Sequence, residues 1–447
     1  MFSFISCLTP MIIFIFSLAG VSLRDKSLFK LVKSWWQPKK TPPIVDLLTR
    51  YAPVQDAVFA QLDIADVISL SKTTKPFMGF VKLVERTQFN INDRLKHFVT
   101  SPIEFRALQA RHNVLIGRNF AYEFMARKPV VKTGGKIGLY SLLVQKGSNA
   151  DALRTFLEKD GYERLDTPTP KDKELSVSSN ALGYFKLRVT MSRISSDGKC
   201  SEVNIVEGEI PVLEALLPSS TSLSNLITWN RAYSVFPHET FIDKRGYLLR
   251  HPTKLTTSEW VDTESLGLDM FPLKRQDALE EKERNTLLSQ RRVGDTSSWV
   301  IALNTSGLDS VPPYPNYLVE SATFRLTMYG AIDRDCFSHY NVDVSIVSAP
   351  SLKHQYILPR GIACQLDIFF RNLTIVSLHR LPTAQQPQRL GQIFTGRHLN
   401  LESPRMALIE GFVPPIGSNW KYHDDEMVRY LKKEYPELEY GLQATGL

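Results

Sequence analysis

The sequence contains few residues whose types and spacing would build a reactive or metal-binding site. Its four cysteines form no C-x-x-C pair, and its nine histidines include no H-E-x-x-H or similar ligand spacing. We therefore expect neither a structural zinc site nor a dense disulfide framework, and we predict no metal ion and no cofactor. The cysteines are Cys7, Cys200, Cys336 and Cys364.

The stretch from Thr133 to Gly138 combines three glycines with Lys136, a composition that phosphate-binding loops share. Its glycines lack the spacing of a P-loop, and a strand instead of a helix is expected to follow it. A backbone turn at the start of a strand is therefore a better interpretation than a nucleotide-binding loop.

The composition is that of a folded protein with more than one domain. The chain has 447 residues, of which 43% are hydrophobic and 22% charged, and its formal net charge is +8. Residues 24–50 hold seven basic and two acidic residues, so five of the eight net charges lie there. The rest of the chain is nearly balanced, so the basic pI gives no strong nucleic-acid signal.

Residues 1–23 carry no charge and are long enough to span a membrane. The positive charges follow this segment, which favours an N-terminal anchor with the remaining chain in the cytoplasm. A positive n-region is missing, which disfavours a secretory signal, although Ser17–Leu18–Ala19 would serve as a cleavage site. Anchor, cleaved signal and incidental apolar leader all remain open. A cytoplasmic location, at a membrane or free, is the expectation.

Apolar residues at helical spacing follow the proline-rich linker that ends at Pro43. Asp63 precedes the second helical segment and is expected to cap it. The spacing resembles the F-box pattern, whose helices dock on the adaptor subunit of a cullin-type ubiquitin ligase. The alternative is that these helices only pack against the next domain. The resemblance is carried by Pro53, Val58–Phe59, Leu62, Asp66–Val67, Leu70–Ser71 and Phe77, and it implies an interaction face of Val58, Leu62, Val67 and Leu70.

A strand–glycine–helix unit follows this module. Ser101–Pro102–Ile103–Glu104 is a capping box and predicts a helix to about Arg111. Val114–Leu115–Ile116 then predicts a short buried strand that ends at Gly117, and a helix is predicted over Asn119–Arg127. We expect this strand to lie beside the strand 136–144 in one mixed sheet.

This unit resembles a group of fungal F-box-like proteins joined to a nucleotidyltransferase-fold domain. In active nucleotidyltransferases a Gly-Ser holds the triphosphate, and an Asp-x-Asp on the next strand binds two metal ions. Here Gly117–Arg118 stands at the first place, and Lys136 and Gly138 stand at the second. The resemblance spans about 53–249 and is carried by Arg94–Leu95, Phe98, Ser101–Pro102, Phe105–Arg106, Leu108–Arg111, Leu115–Gly117, Phe120–Ala121, Phe124, Pro211–Leu216, Leu226–Asn230, Ala232–Tyr233 and Phe236–Pro237.

The resemblance implies a nucleotidyltransferase fold that has lost its metal-binding acids. A third acid would be expected near Asn204, which bears an amide instead. The sequence thus favours a non-catalytic interaction protein, with substrate adaptor of a ubiquitin ligase as the implied role. The alternative is a metal-dependent nucleotidyltransferase with a rearranged acidic site. The acids that would then be candidates are Glu202, Glu207, Glu209 and Asp243.

The last third of the chain shows period-two patterns typical of antiparallel strands. Acidic residues from Asp424 to Glu426 are expected to begin a closing helix. The predicted strands are 299–303, 324–329, 342–347, 363–370 and 373–376. The predicted fold class is α+β, divided into a hydrophobic segment (1–23), a basic proline-containing linker (24–43), an F-box-like helical module (44–98), a degenerate nucleotidyltransferase-like domain with a mixed sheet (99–290) and a β-rich C-terminal region (291–447).

Overall fold

The structure, a computed structural model, is of the mixed α+β class that the sequence predicts. The predicted membrane segment 1–23 and most of the basic linker lie outside the described residues. The described residues are 43–129, 132–133, 136–165, 187–194, 200–216, 220–249, 260–261, 263–271, 281, 287–308, 314–329, 339–386 and 420–436. The chain divides into two compact units, Met1–Ile91 with Glu123–Pro129 and Asn92–Tyr122 with Val130–Leu447.

The helices carry most of the first unit and flank the strands of the second. They are α1 (Pro43–Arg50), α2 (Ala52–Gln61), α3 (Ile64–Ser71), α4 (Phe80–Gln88), α5 (Ile91–Leu95), α6 (Pro102–His112), α7 (Arg118–Met125), α8 (Ser148–Lys159), α9 (Pro211–Leu216), α10 (Tyr317–Glu320), α11 (Arg360–Arg380) and α12 (Asp424–Glu434). Short 3₁₀ turns cover Lys75–Phe77, Thr221–Leu223 and Thr383–Gln385, and a π-helix covers His238–Ile242.

The first unit is a small helical bundle around aromatic side chains. The Phe80 ring lies 5.0 Å from Phe59 and 4.5 Å from Phe77, centroid to centroid. The predicted cap of α3 is confirmed, because Asp63 accepts a hydrogen bond from the backbone N–H of Asp66 at 2.9 Å. The Asp66 side chain bonds back to the N–H of Asp63, which completes a capping box.

The second unit is built on a mixed sheet of nine strands among the described residues, in the order β12-β8-β7-β1-β3-β6-β5-β4 with β2 paired to β3. The strands of this and the smaller sheets are β1 (Leu115–Gly117), β2 (Lys132–Thr133), β3 (Lys136–Gln145), β4 (Glu163–Arg164), β5 (Leu187–Ile194), β6 (Cys200–Gly208), β7 (Asn225–Ile227), β8 (Arg231–Ser234), β9 (Arg245–Tyr247), β10 (Asp269–Phe271), β11 (Gln290–Arg292), β12 (Trp299–Ala302), β13 (Thr323–Tyr329), β14 (His339–Asp343), β15 (Ser345–Val347) and β16 (Tyr356–Leu358).

The centre of this sheet confirms the predicted neighbours. Strand β1 pairs antiparallel with β3, with Leu115 opposite Leu143, and β3 runs parallel to β6. The cap of α6 is also as predicted, since the Ser101 hydroxyl accepts from the N–H of Glu104 at 3.4 Å. Leu115 and Leu143, which face each other in this pairing, both belong to the hydrophobic core of the sheet.

The C-terminal region differs from its prediction at α11. The strands predicted at 363–370 and 373–376 are wrong, because Arg360–Arg380 forms one continuous helix. Burial explains the difference, since Ala363, Phe370, Thr374 and Leu378 recur at helical spacing and are all buried. The β-branched and aromatic residues of this segment favour a strand only weakly, and packing along one helical face overrides that preference.

Helix α11 also has the length and mean hydropathy of a membrane-spanning helix, alone among the described residues. Only 22% of its most apolar 18-residue window is buried. An ion pair at 2.6 Å between Arg371 and Asp367 lies on it. Length and composition do not by themselves separate a membrane span from an amphipathic helix on a domain surface.

Helix α12 is held by its first residue. The Asp424 carboxylate accepts hydrogen bonds from the backbone N–H groups of Lys353 at 2.8 Å and His354 at 3.2 Å, and from the Tyr356 hydroxyl at 2.8 Å. Burial lowers the pKa of the His354 imidazole to about 4; nearby Lys353 acts in the same direction, and Asp424 opposes it. The acidic start of α12 thus docks on the segment before β16.

Arg106 on α6 joins this helix to the sheet. Its side chain is 0% exposed, and its Nε and Nη2 atoms donate to the Trp229 carbonyl oxygen at 3.0 and 2.7 Å. Its Nη1 atom donates to the side-chain oxygen of Asn92 at 2.9 Å. Burial lowers the pKa of Arg106 to about 10, so the guanidinium stays charged at neutral pH. The turn between β7 and β8, which contains Trp229, is therefore fixed against α6.

Arg106→Met should reduce the free energy of unfolding by ~2–4 kcal/mol, because it leaves the Trp229 carbonyl without its donors inside the protein. Arg111→Met, at an exposed position of the same helix, should change stability by less than ~0.5 kcal/mol. Urea denaturation of the two variants compares them directly. Equal losses in both would contradict the role assigned to Arg106.

The protein should lose stability as the pH falls from 6.5 towards 4, partly through His354. In the unfolded chain this imidazole titrates near its ordinary value of 6.5, whereas in the folded chain it resists protonation until about pH 4. Protons therefore favour the unfolded chain in this window, at a cost of on the order of 2–3 kcal/mol.

The measurement is the unfolding free energy between pH 4 and 7 for the wild type and His354→Gln. The variant should show a shallower slope between pH 4 and 6.5, and His97→Gln, at an exposed histidine, serves as the control. An unchanged slope in His354→Gln would rule out this source of the pH dependence.

Candidate functional site

The edge of the sheet where β1 ends is the first candidate site. Gly117 closes β1, and Arg118 begins α7 with a backbone φ of 60°. A side chain at position 117 would place its Cβ 3.2 Å from Leu143 Cδ1, so the close packing of β1 on β3 accounts for a glycine here. The glycine therefore has a structural reason that is independent of any ligand.

Lys136 and Gly138 lie on β3, beyond the end of β1. Ile116 is opposite Leu142. Gly138 lies four residues before Leu142 on β3, which is roughly 13 Å away at the rise of a strand. In the parallel pairing with β6, Lys136 is opposite Cys200 and Gly138 is opposite Glu202. The two positions compared with the aspartates of active nucleotidyltransferases therefore lie beyond the end of β1, where α7 begins.

The acids of the alternative, enzymatic interpretation are engaged elsewhere. Glu207 is 5% exposed and pairs with Arg154 of α8, and Glu209 pairs with Lys146. Asp243 lies 3.2 Å from the Nδ1 atom of His238. Within the part of the chain that the structure describes, no three histidine, cysteine, aspartate or glutamate side chains are arranged so that they could hold a metal ion together.

The position predicted for the third acid also holds a hydrogen-bonded amide. Asn204 on β6 accepts a hydrogen bond from the Thr190 hydroxyl of β5 at 2.8 Å. Glu202 lies two residues earlier on the same strand face, and both side chains are half-buried. The alternate positions of β6 therefore present one carboxylate and one amide to this face.

The predicted interaction face of the first unit divides into two parts. Val58 and Val67 are buried, at 8% and 0% exposure, and belong to the core of the bundle. Leu62 and Leu70 are half-buried and reach the surface. The four residues therefore do not form one exposed patch, and only the two leucines are accessible.

The corner between α2 and α3 is fixed by Arg127. Its guanidinium donates to the carbonyl oxygen of Phe59 at 2.8 Å and also to the carbonyl oxygen of Leu62 and the side chain of Gln88. Burial lowers the pKa of Arg127, and nearby Asp63 opposes this. A cation at the C-terminus of α2 also suits the helix dipole, so the backbone around Leu62 is held in one position.

A small pocket beside Trp229 is a site that sequence reasoning missed. Trp229 contributes an indole N–H and Gln109 of α6 a side-chain oxygen, both buried and without a hydrogen-bond partner among the described residues. The two residues are 120 positions apart, so no local pattern of residue types connects them. The pocket is lined by Gln109, Asn113, Val114, Leu115, Thr228, Trp229, Tyr314, Pro315, Asn316 and Val319.

Comparison with known proteins adds no assignment to these sites. No protein-family model, no curated protein and no solved structure matches this chain. The resemblance to F-box-like and nucleotidyltransferase-fold proteins therefore stays a prediction.

Proposed function

We propose that this chain is a non-catalytic interaction protein, in which an F-box-like helical module is joined to a pseudo-nucleotidyltransferase fold. The observation that carries the proposal is the composition of the sheet edge beyond Gly117. Strand β3 brings Lys136 and Gly138 to this edge, where two-metal chemistry would need two carboxylates. A lysine there adds positive charge and supplies no oxygen ligand for Mg²⁺.

The arrangement of neighbouring elements supports the comparison with a nucleotidyltransferase fold. A strand ending in glycine leads directly into a helix, and the next long strand lies beside the first. The strand that would carry the third acid is β6, which runs parallel to β3. The positions compared with catalytic residues are therefore on adjacent strands, and it is their side-chain types that argue against catalysis.

The pairing of the remaining acids supports the same proposal. If Glu207 instead bound a metal ion, Arg154 would lose its buried carboxylate partner. Separating a partly buried ion pair leaves an uncompensated charge, which is strongly destabilising. The acids near β6 are thus used to join α8 and the β3–α8 turn to the sheet.

The full-length protein should transfer no nucleotide from ATP, CTP, GTP or UTP in the presence of Mg²⁺ or Mn²⁺. The physical reason is the missing pair of carboxylates at 136 and 138. Incubation with radiolabelled nucleoside triphosphates and a mixture of RNA, protein and small hydroxyl acceptors measures this. Metal-dependent turnover that is lost in Glu202→Gln but retained in Glu163→Gln, at an exposed glutamate of β4, would establish the enzymatic alternative.

The helical module is proposed to bind the adaptor subunit of a cullin-type ubiquitin ligase. Its accessible apolar residues are Leu62 and Leu70, at the end of α2 and near the end of α3. Arg127 and the capping box of α3 hold this corner rigid, which lowers the entropy that binding would cost. The buried Val58 and Val67 would support the face from beneath without touching the partner.

Leu62→Asp should weaken adaptor binding at least tenfold, because a carboxylate would be desolvated in an apolar interface. Its effect on stability should be modest, about 1 kcal/mol, since Leu62 is only half-buried. Pull-down of purified adaptor with the wild type and the variant measures binding. Gln61→Asp, at the neighbouring exposed position, is the matched control. Equal recovery of the adaptor by folded Leu62→Asp would assign these helices to packing alone.

The same proposal places the protein on the cytoplasmic side of a membrane, anchored through residues 1–23, or free in the cytoplasm. The uncharged segment and the basic residues that follow it support this orientation. A ubiquitin-ligase adaptor is reached only from the cytoplasm, so the orientation and the proposed partner agree.

A further inference from the structure

Helix α11 exposes large apolar side chains on the face that does not pack on the domain. Ile368, Phe369 and Val376 are 63%, 46% and 47% exposed. The opposite face belongs to a core, since Ala363 and Phe370 lie in one hydrophobic cluster with residues of β15 and β16. Single exposed apolar residues are common on soluble domains, whereas a group of them on one helix marks an interaction surface. Helix α11 thus has two apolar faces, of which the domain covers one.

The exposed apolar residues form one stripe along the helix. At 100° per residue, Ile368, Phe369 and Val376 fall within an arc of about 100° on the side opposite the buried residues. The same arc holds Gln365 and Asn372, which are polar but uncharged. Charged side chains of α11 are exposed only at the two ends of the helix.

Basic residues close this stripe at both ends. Arg360 begins the helix and Arg380 ends it, and both are exposed. At the rise of an α-helix they are ~30 Å apart. The single acidic residue in the sequence of the helix is Asp367, and it pairs with Arg371 at 2.6 Å. The exposed face therefore presents apolar side chains between two positive charges.

This charge pattern selects among the partners that an apolar face could have. Two copies of α11 packed face to face would bring arginines of the two copies together at each end, whether the helices ran parallel or antiparallel, and like charges repel. An anionic membrane surface instead supplies negative headgroups for the arginines and acyl chains for the apolar stripe. A membrane-spanning position does not suit this helix, because Ala363 and Phe370 would have to leave the core.

We propose that the exposed face of α11 binds the surface of an anionic membrane, with the helix axis parallel to that surface. Ile368, Phe369 and Val376 enter the boundary between headgroups and acyl chains, and Arg360 and Arg380 contact the headgroup phosphates. Interfacial helices of this kind bury their apolar face ~5–10 Å into that boundary. The site goes beyond the proposed function and depends neither on the adaptor partner nor on anchoring through residues 1–23.

The test measures the environment of this face in the full-length protein. Cys364 is exposed and lies one turn before Ile368, so replacing Cys7, Cys200 and Cys336 by serine leaves one thiol for a nitroxide spin label beside the stripe. The measured quantity is the label's collision rate with oxygen divided by its collision rate with a water-soluble nickel chelate. We expect this ratio to rise at least threefold with vesicles of phosphatidylserine and phosphatidylcholine, and to stay unchanged with phosphatidylcholine alone.

The comparison of the two vesicles isolates α11 even if residues 1–23 insert into the bilayer, because an uncharged apolar segment inserts into both. The control label is placed by Glu163→Cys, at an exposed position of β4, in a chain that also carries Cys364→Ser, and its ratio should not rise. An unchanged ratio at Cys364, or an equal rise at both positions, would overturn the proposal. Spin–spin broadening at Cys364 without vesicles would overturn it as well, in favour of a second copy of this chain.

Two variants separate the apolar from the electrostatic contribution. Ile368→Gln, at a largely exposed position, should reduce the rise at least threefold because it removes an apolar side chain from the boundary. Arg380→Gln should also reduce the rise and make it less sensitive to added salt. Arg111→Gln, at an exposed position of α6, is the matched control and should leave the rise unchanged. A full rise in both α11 variants, or an equal loss in Arg111→Gln, would contradict the assigned face.

Discussion

The hydrogen bonds of the fully buried Arg106 guanidinium are the interaction on which the arrangement of the larger unit depends. A charge removed from water must be matched by hydrogen-bond acceptors. Otherwise its desolvation costs more free energy than burial of the side chain gains. The Trp229 carbonyl and the Asn92 side chain provide these acceptors, from positions before and after α6 in the chain. Because these hydrogen bonds hold the turn between β7 and β8, they fix α6 relative to the sheet.

The same requirement recurs on β8 itself. Arg231 donates to the buried carboxylate of Glu320, and the Tyr233 hydroxyl donates to the same oxygen at 2.9 Å. Burial raises the pKa of Tyr233 well above its ordinary value, and the Glu320 charge adds to this, so the phenol stays protonated and remains a donor. Such networks add little net stability but penalise any other position of β8 against the end of α10.

The acidic side chains at the end of β6 serve as structural partners of basic residues. Glu207 and Glu209 are paired with Arg154 and Lys146, and these pairs join separate elements instead of gathering at one point. The Trp229 pocket, by contrast, is lined without any charge.

Short-range features of this chain follow from its sequence, because they involve residues within about four positions of one another. The Asp63–Asp66 capping box, the Ser101 cap and the strand that ends at Gly117 are of this kind. The sequence predicts strands where α11 forms, because the apolar residues fit both periods locally. Only burial of one helical face against its neighbours decides between the two. The Arg106–Trp229 contact joins residues 123 positions apart, and the pairing of β12 with β8 joins two distant segments. Such contacts depend on register and packing across the whole unit, which no local pattern of residue types contains.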